Sequence, residues 1–584
     1  MAELKTEMRD GMRIAWDVPV TMDDGTVLRA DVFLPTTAGR YPALLSYGPY
    51  GKGLAFQDGY KTAWDIMCRE NPDAVAGSSN RYANWEVADP EKWVPDGYVV
   101  IRIDSRGAGR SPGFLCHNNA RETQDIYQCV EWAGVQPWCS GKVGMNGISY
   151  YASNQWRAAA AQPPHLAAIC VWEGWNDAYR DGNRHGGIVC VFRKNWQEMQ
   201  VKTVQHGVGE RGAKNHITGE LVCGPETLSE AELAANREDM WREISARELE
   251  DDYYRERTTD LSKVTVPLLT SANWGGQGLH TRGNFEGYMR AASTQKWLEA
   301  HGGSHWAPFY TDYGVGLQKK FFGHFLKGED TGWNQQPAVL LQVRHVPENG
   351  RERFVERQEN AWPLTRTRWT PLHLDPRGMQ LSPTPFGTQQ SVNYDAMGDG
   401  LTFSTSALIE DTEFTGPAAL KLFVSSSTAD ADLFVVLRVF DPTGTEVVFQ
   451  GALDPHTPVA QGWLRASHRK LDPARSLPYR PWHTHDEKQP LTPGTIYELD
   501  IEIWPTCIVV PKGYRLALSV RGKDYVWDGA ATTLSNMKNP MRGCGPFEHD
   551  DPTDRPPEVF GGRVTLHCGP LYPSALLLPV IPAT

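Results

Sequence analysis

The chain lacks any surplus of positive charge. Its 58 lysines and arginines stand against 70 aspartates and glutamates, a net charge of -12. Nucleic acid is therefore excluded as a main partner, because no basic excess exists to neutralise phosphates. No run is long and apolar enough to span a bilayer. The opening Met1-Ala2-Glu3-Leu4-Lys5 puts charges where a signal peptide has its apolar stretch. A soluble, cytosolic chain without a membrane partner is expected. The ten cysteines form neither a C-x-x-C pair nor a ladder. That argues against zinc and disulfide frameworks and for buried free thiols. Tryptophan, by contrast, is abundant, with 21 copies. Large cores and β-sandwich packing account for this more readily than an aromatic pocket. A length of 584 residues exceeds one ordinary core, so two or three domains are expected.

The N-terminal part alternates strands with helices. Met12 to Met22 and Leu28 to Leu34 flank the turn signal Asp23-Asp24-Gly25. Apolar runs follow at 43–47, 98–103, 142–146, 166–172, 266–272 and 296–300. Helical spacing marks 122–132, 150–161, 285–292 and 317–326. This pattern predicts a mostly parallel α/β sheet. Residues 52–93 are aromatic and irregular, an excursion from the sheet. Residues 179–261 read as a helical insertion placed to cap the active site, with a capping box at Ser229-Glu230-Ala231-Glu232 opening a helix over roughly 230–250. The α/β sheet resumes over 262–355, completing the part begun at 1–178. From 356 to 584 short alternating segments separated by turns such as Pro442-Thr443-Gly444 predict an all-β sandwich or jelly roll.

The stretch Gly147-Ile148-Ser149-Tyr150-Tyr151 lies between the strand-like 142–146 and the helix-like 150–161. A serine on such a sharp strand-to-helix turn lifts its hydroxyl above the sheet. Gly147 suits the bend, and the N–H of Tyr150 would point at a developing oxyanion.

Further stretches carry a family resemblance. They are Pro49-Tyr50-Gly51-Lys52, Asp104-Ser105-Arg106-Gly107-Ala108-Gly109-Arg110-Ser111, and Trp138 through Tyr150. In the C-terminal part they are Val424-Ser425-Ser426-Ser427, Gly462-Trp463-Leu464-Arg465-Ala466-Ser467 and Pro511-Lys512-Gly513-Tyr514-Arg515-Leu516. Together and in order they resemble the cocaine-esterase-like hydrolases, a family that includes α-amino-acid ester hydrolases, glutaryl-acylases and X-Pro dipeptidyl-peptidases. The resemblance implies an α/β-hydrolase domain, a helical cap and a C-terminal jelly roll. It also implies Ser149 as nucleophile and His305 as the catalytic histidine. The Tyr50 hydroxyl and the Tyr150 N–H would form the oxyanion hole. His301 is the rival histidine; His280 and His206 fit structural or pocket-lining places.

One expected group is missing. Relatives carry an aspartate a residue or two beyond a tryptophan, after the strand equivalent to 266–272. Here the sequence runs Ala272-Asn273-Trp274-Gly275-Gly276-Gln277-Gly278, with no carboxylate before Glu286. Three explanations stand open: a decayed enzyme, weak orientation by Gln277, or an acid moved to another strand end. For the last, Glu173 follows the next strand along, in Val171-Trp172-Glu173-Gly174-Trp175. An unpaired carboxylate there would be costly to bury. His305 would satisfy it, as would Arg180 or Arg184. Asp177 and then Asp181 are the further candidates.

The expected chemistry is acyl transfer through a Ser149 acyl-enzyme, with no metal or organic cofactor. The partner is a small-molecule substrate, and homo-oligomerisation stays open. Trp172, Trp175 and Trp274, with Gln277 beside them, suggest a broad pocket for a bulky or aromatic ester. An amidase or aminoacyl-peptidase is the alternative.

Overall fold

The computed structural model describes residues 5–535 and 541–583. Ten main strands, with the short edge strand Glu7–Arg9 paired beside the first, form one continuous sheet in the N-terminal part. They are β1 (Met12–Thr21), β2 (Val27–Pro35), β3 (Tyr41–Gly48), β4 (Val99–Asp104), β5 (Cys139–Ile148), β6 (Leu166–Trp172), β7 (Leu268–Asn273), β8 (Lys296–His301), β9 (Val339–Glu348) and β10 (Arg351–Glu359). Their order across the sheet is β1-β2-β4-β3-β5-β6-β7-β8-β9-β10. From β4 to β9 every neighbour runs parallel. Strands buried on both faces need near-continuous apolar runs, which is why β4 and β6 were visible in the sequence. In β4 every residue is buried, Arg102 and Asp104 included.

Helices α1 (Ala120–Gly134), α2 (Tyr150–Ala160), α3 (Thr281–Arg290) and α4 (Asp312–Phe322) cover the sheet. Asn119 caps α1 by accepting the Glu122 N–H, leaving Ile126, Cys129 and Val130 to face the core. Residues 52–93 leave the sheet, as expected, and carry only short helices.

The insertion after β6 differs from its expected form. The capping box at Ser229 and Glu232 is present, but the helix it opens ends at Ala235. Asn236 and Glu238 instead exchange backbone hydrogen bonds with Leu115, and Asp239 caps a separate helix, Met240–Ser245. Pairing with the hydrolase domain overrides local helix propensity here.

Beyond 359 two antiparallel sheets enclose a second apolar core that includes Leu420, Leu433, Ile501 and Leu518. Thr412–Ser426, Tyr497–Val510 and Ala575–Ile581 build one sheet; Asp432–Phe440, Arg515–Arg521 and Leu401–Ser404 build the other. The chain is thus an α/β-hydrolase fold with a separate C-terminal β domain. That domain reaches the hydrolase sheet closely. A Cβ added to Gly275 would lie 2.3 Å from the Cα of Gly451. Among the described residues, no helix is long and apolar enough to cross a membrane. All ten cysteines are unpaired.

Candidate active site

Ser149 sits between β5 and α2 with φ 60° and ψ -112°. A non-glycine residue held there costs roughly 1–3 kcal/mol, so the surroundings must impose it. They do: the Ser149 N–H donates to the carbonyls of Trp172 and Glu173, and the Ile148 N–H to that of Glu86. Gly147 has φ 144°, and a Cβ on it would fall 2.4 Å from the Cβ of Tyr151. The serine heads α2, yet its side chain caps nothing. Its hydroxyl instead meets Nε2 of His280 at 3.0 Å.

Glu86 (φ 62°) and Glu173 (φ 51°) share this left-handed strain. Glu173 follows β6 directly, one strand from the nucleophile's, and its N–H donates to the Ser271 carbonyl on β7. Its carboxylate spans two imidazoles. Oε2 meets His305 Nδ1 at 2.5 Å, Oε1 meets His301 Nε2 at 3.0 Å, and Asn273 Nδ2 donates to Oε1 at 3.1 Å. Arg180 and Arg184 are engaged elsewhere, by Asp177 and Glu250 and by Asp554. Asp177 pairs with Arg180, and Asp181 with Arg282 at 2.9 Å. Among the described residues neither side-chain carboxylate has a histidine partner; His185 meets only the Asp181 backbone carbonyl.

The place of the absent aspartate is filled. A side chain on Gly275 would strike the Gly451 backbone, and one on Gly276 would lie 2.7 Å from Thr281 Oγ1. At Gly275 the β domain occupies the space a side chain would need; at Gly276 Thr281 of α3 does. Gln277 does not compensate, contrary to one sequence expectation. Its amide donates to the Pro505 carbonyl and accepts the Gln461 N–H, tying it to the β domain.

The other ring nitrogen of His305 faces Glu86 Oε1 at 3.0 Å, not Ser149. His280 and His305 stack with centroids 5.3 Å apart and planes within 7°. Their electrostatics diverge. For His305, burial works against the charged form, but the carboxylates of Glu173 and Glu86 outweigh it and lift its pKa to about 10. For His280, burial and then the charges of His305 and Arg193 push the pKa well below the usual imidazole value. Burial lifts Glu86 to about 6, against the pull of His305. Burial also opposes the Glu173 charge, yet His305 and His301 hold it below the ordinary glutamate value. Ser149 therefore touches an imidazole whose surroundings favour its neutral form, while those of the imidazole bound to Glu173 favour its cation.

His301 does not reach the pocket. It stacks on Trp172 at 5.2 Å and links Glu173 to Glu299. His206, in the insertion, is tied to Gly109 of the hydrolase part and to Glu226 of the insertion.

A pocket opens over Ser149, with Tyr50, Glu86, Tyr150, His280 and His305 in its wall. Trp85 and Tyr60 from the 52–93 excursion, and Phe192, Arg193, Trp196 and Gln200 from the insertion, complete much of it. The insertion therefore covers Ser149, and Leu453 and Ser535 of the β domain close one side. The Tyr50 hydroxyl accepts the Trp196 indole N–H at 2.9 Å, leaving its own proton to donate. The Tyr150 side chain turns away to Glu122 and His117, so only its backbone N–H serves the nucleophile's turn.

Of the expected pocket tryptophans, Trp175 lines the cavity. Trp172 and Trp274 do not. Trp172 packs among His301 and Phe309, and Trp274 among Phe285 and Trp362. Both are fully buried core residues. Glu86 and Arg193 were missed by sequence reasoning. Glu86 sits in an aperiodic segment, and nothing local separates it from any surface glutamate.

Among the described residues, one group has metal-ligand character: His185, Cys190 and His549, with ligand atoms within 4.8 Å of one another. His185 Nδ1 and His549 Nε2 lie 2.7 Å apart, and Asp524 takes His549 Nδ1 at 2.8 Å. That spacing is a hydrogen bond's, and the cluster joins the insertion to the β domain.

Comparison with known proteins agrees with this architecture. Residues 24–307 match the model of the X-Pro dipeptidyl-peptidase (S15) family, and residues 331–577 that of the X-Pro dipeptidyl-peptidase C-terminal non-catalytic domain. The cocaine esterase of Rhodococcus sp. is 24% identical over 97% of this chain and 98% of its own. An aminopeptidase from a marine-sediment Thaumarchaeota archaeon shares the fold, at TM-score 0.70 and 15% identity over 100% of this chain and 99% of its own. A CocE/NonD family hydrolase from Staphylococcus aureus superposes with TM-score 0.83 at 32% identity, over 98% of this chain and 94% of its own. With that likeness over nearly the whole length of both chains, the protein belongs to the CocE/NonD family of serine hydrolases.

Proposed function

We propose that the protein cleaves a carboxylic ester of a small, apolar or aromatic substrate through an acyl-enzyme on Ser149. The observation that carries this is the strained Ser149 in an aromatic pocket whose wall also holds His305, an imidazole bound by the buried Glu173. His305 is the proposed base and Glu173 its acid. A base must be neutral when it accepts the proton and supported once charged. His280 meets only the first condition. Its Nδ1 is buried with no hydrogen-bond partner, and no carboxylate stands ready to hold its imidazolium. His305 meets the second through Glu173. In the resting arrangement Glu86 engages its Nε2 and His280 engages the hydroxyl. Substrate entering over Ser149 displaces both contacts; His305 leaves its Nε2 proton on Glu86, whose neutral form burial favours, and the now neutral Nε2 meets Oγ.

Ser149 then attacks the acyl carbonyl, and His305 takes its proton. The oxyanion rests on the Tyr150 N–H and the Tyr50 O–H. His305 returns the proton to the leaving alcohol, and water attacks the acyl-enzyme by the same route. A C-terminal jelly roll, as the β domain is read here, serves as a packing partner that shapes one side of the pocket.

Tyr50→Phe removes one oxyanion donor and keeps the ring. It is expected to lower kcat by about two orders of magnitude with little change in KM. Steady-state kinetics on an aryl ester checks this, and a change confined to KM would remove Tyr50 from the oxyanion hole. An ester panel run beside aminoacyl amides decides between esterase and the amidase or aminoacyl-peptidase alternative.

A further inference from the structure

Arg193 is a charged pocket residue whose chemistry the ester reaction leaves unused. It is 4% exposed and lies in the wall of the Ser149 pocket. Its Nε donates to Asn183 Oδ1 at 3.2 Å. Its two terminal nitrogens have no hydrogen-bond partner among the described residues, and no carboxylate there comes within ion-pair distance. Five other buried guanidiniums each have an oxygen partner on at least one terminal nitrogen. Arg180, Arg184 and Arg282 pair with carboxylates, and Arg102 and Arg344 donate to backbone carbonyls.

Aromatic rings frame the Arg193 fork. Its Cζ lies 5.2 Å from the Trp196 ring centroid and 5.5 Å from those of Trp175 and Phe192. These rings support the cation and fix its plane, but they accept no N–H in the way an oxygen does. Burial pushes its pKa down, and the groups that oppose this are Tyr50, Tyr150, Cys190 and Tyr253, not carboxylates. A guanidinium desolvated to this degree without an anion is costly to keep. Its free fork matches the two oxygens of a carboxylate.

We propose that Arg193 binds a free carboxylate on the substrate, so that the preferred substrates are esters carrying a second, unesterified carboxyl group. The apolar walls around the fork hold the linking chain, and the ionised carboxylate docks bidentately on Nη1 and Nη2. The inference rests on Ser149 being the nucleophile of this pocket, and it adds the charge of the substrate to that reading.

Ethyl hydrogen adipate and ethyl hexanoate, matched in chain length, form the test pair. The wild type is expected to favour the monoanion by about tenfold or more in kcat/KM. Arg193→Met is expected to lower that anion-to-neutral ratio by about thirtyfold or more, chiefly through KM, with Arg193→Lys in between. A wild type that prefers the neutral ester, or a ratio unmoved by Arg193→Met, would overturn the proposal. Calorimetric titration of Ser149→Ala with adipate separates this from the hydrolase reading. Tight adipate binding that Arg193→Met weakens supports the anion site even where neither ester is cleaved. Adipate that binds no better than hexane-1,6-diol removes it, whatever the activity.

Discussion

Glu173→Gln is expected to lower kcat by about three to four orders of magnitude while the protein stays folded. The amide keeps the size of the side chain and its place at the end of β6. It loses the charge that holds His305. Two buried histidines draw on that carboxylate, and their contacts pin its oxygens at 2.5 Å and 3.0 Å. With glutamine there, Nδ1 of His305 loses its fixed acceptor and the imidazolium loses its counter-charge. Steady-state kinetics with circular dichroism of the variant reads both halves of the expectation. Gln277→Ala is the control, since Gln277 bonds to the β domain and not to a catalytic histidine. Near-native turnover in Glu173→Gln would show that the carboxylate is structural.

The second large effect separates the two stacked imidazoles. His305→Ala is expected to abolish turnover to within about three to four orders of the wild type, like the loss of any triad base. His280→Ala is expected to cost about tenfold or less, because it removes a resting contact to Ser149 and leaves the carboxylate-held base in place. The difference follows from what each ring does when it gains a proton. His305 already sits between two carboxylates that favour its cation, whereas burial and the neighbouring His305 and Arg193 charges disfavour that of His280. Pre-steady-state acylation rates on an activated ester measure it. The reverse order of effects would make His280 the base and Glu173–His305 a supporting pair.

Much of the fold was legible because buried parallel strands announce themselves. Runs such as Val99–Asp104 and Leu166–Trp172 are apolar on both faces, and the glycine, serine and helix start at 147–150 mark the turn between β5 and α2. The contact of Glu173 with His305 was legible for a different reason. Strand ends of a parallel sheet point at one edge, so an acid after β6 and a histidine after β8 share a cleft. Side-chain direction at those ends was not legible. Trp172 and Trp175 stand three residues apart on one strand end, and only Trp175 faces the pocket. The crowding around the absent aspartate was equally hidden, since Gly451, which abuts Gly275, lies more than a hundred residues downstream, and Thr281 crowds Gly276 only through the packing of α3. Glu86 and Arg193 come from aperiodic or inserted segments, where no repeat constrains what faces inward. His280 appeared as a pocket-lining histidine, and its bond to Ser149 emerges only from the packing of α3 against the turn.

The most direct test of the central claim is the rate of fluorophosphonate labelling, read by intact mass and peptide mapping. The wild type is expected to gain a single adduct on Ser149, Ser149→Ala none, and Glu173→Gln the same adduct about a thousandfold more slowly. His280→Ala is expected to label within about tenfold of the wild-type rate. Inert wild-type protein, an adduct on another residue, or equal rates for the wild type and Glu173→Gln would contradict a Ser149 nucleophile served by a Glu173-held His305.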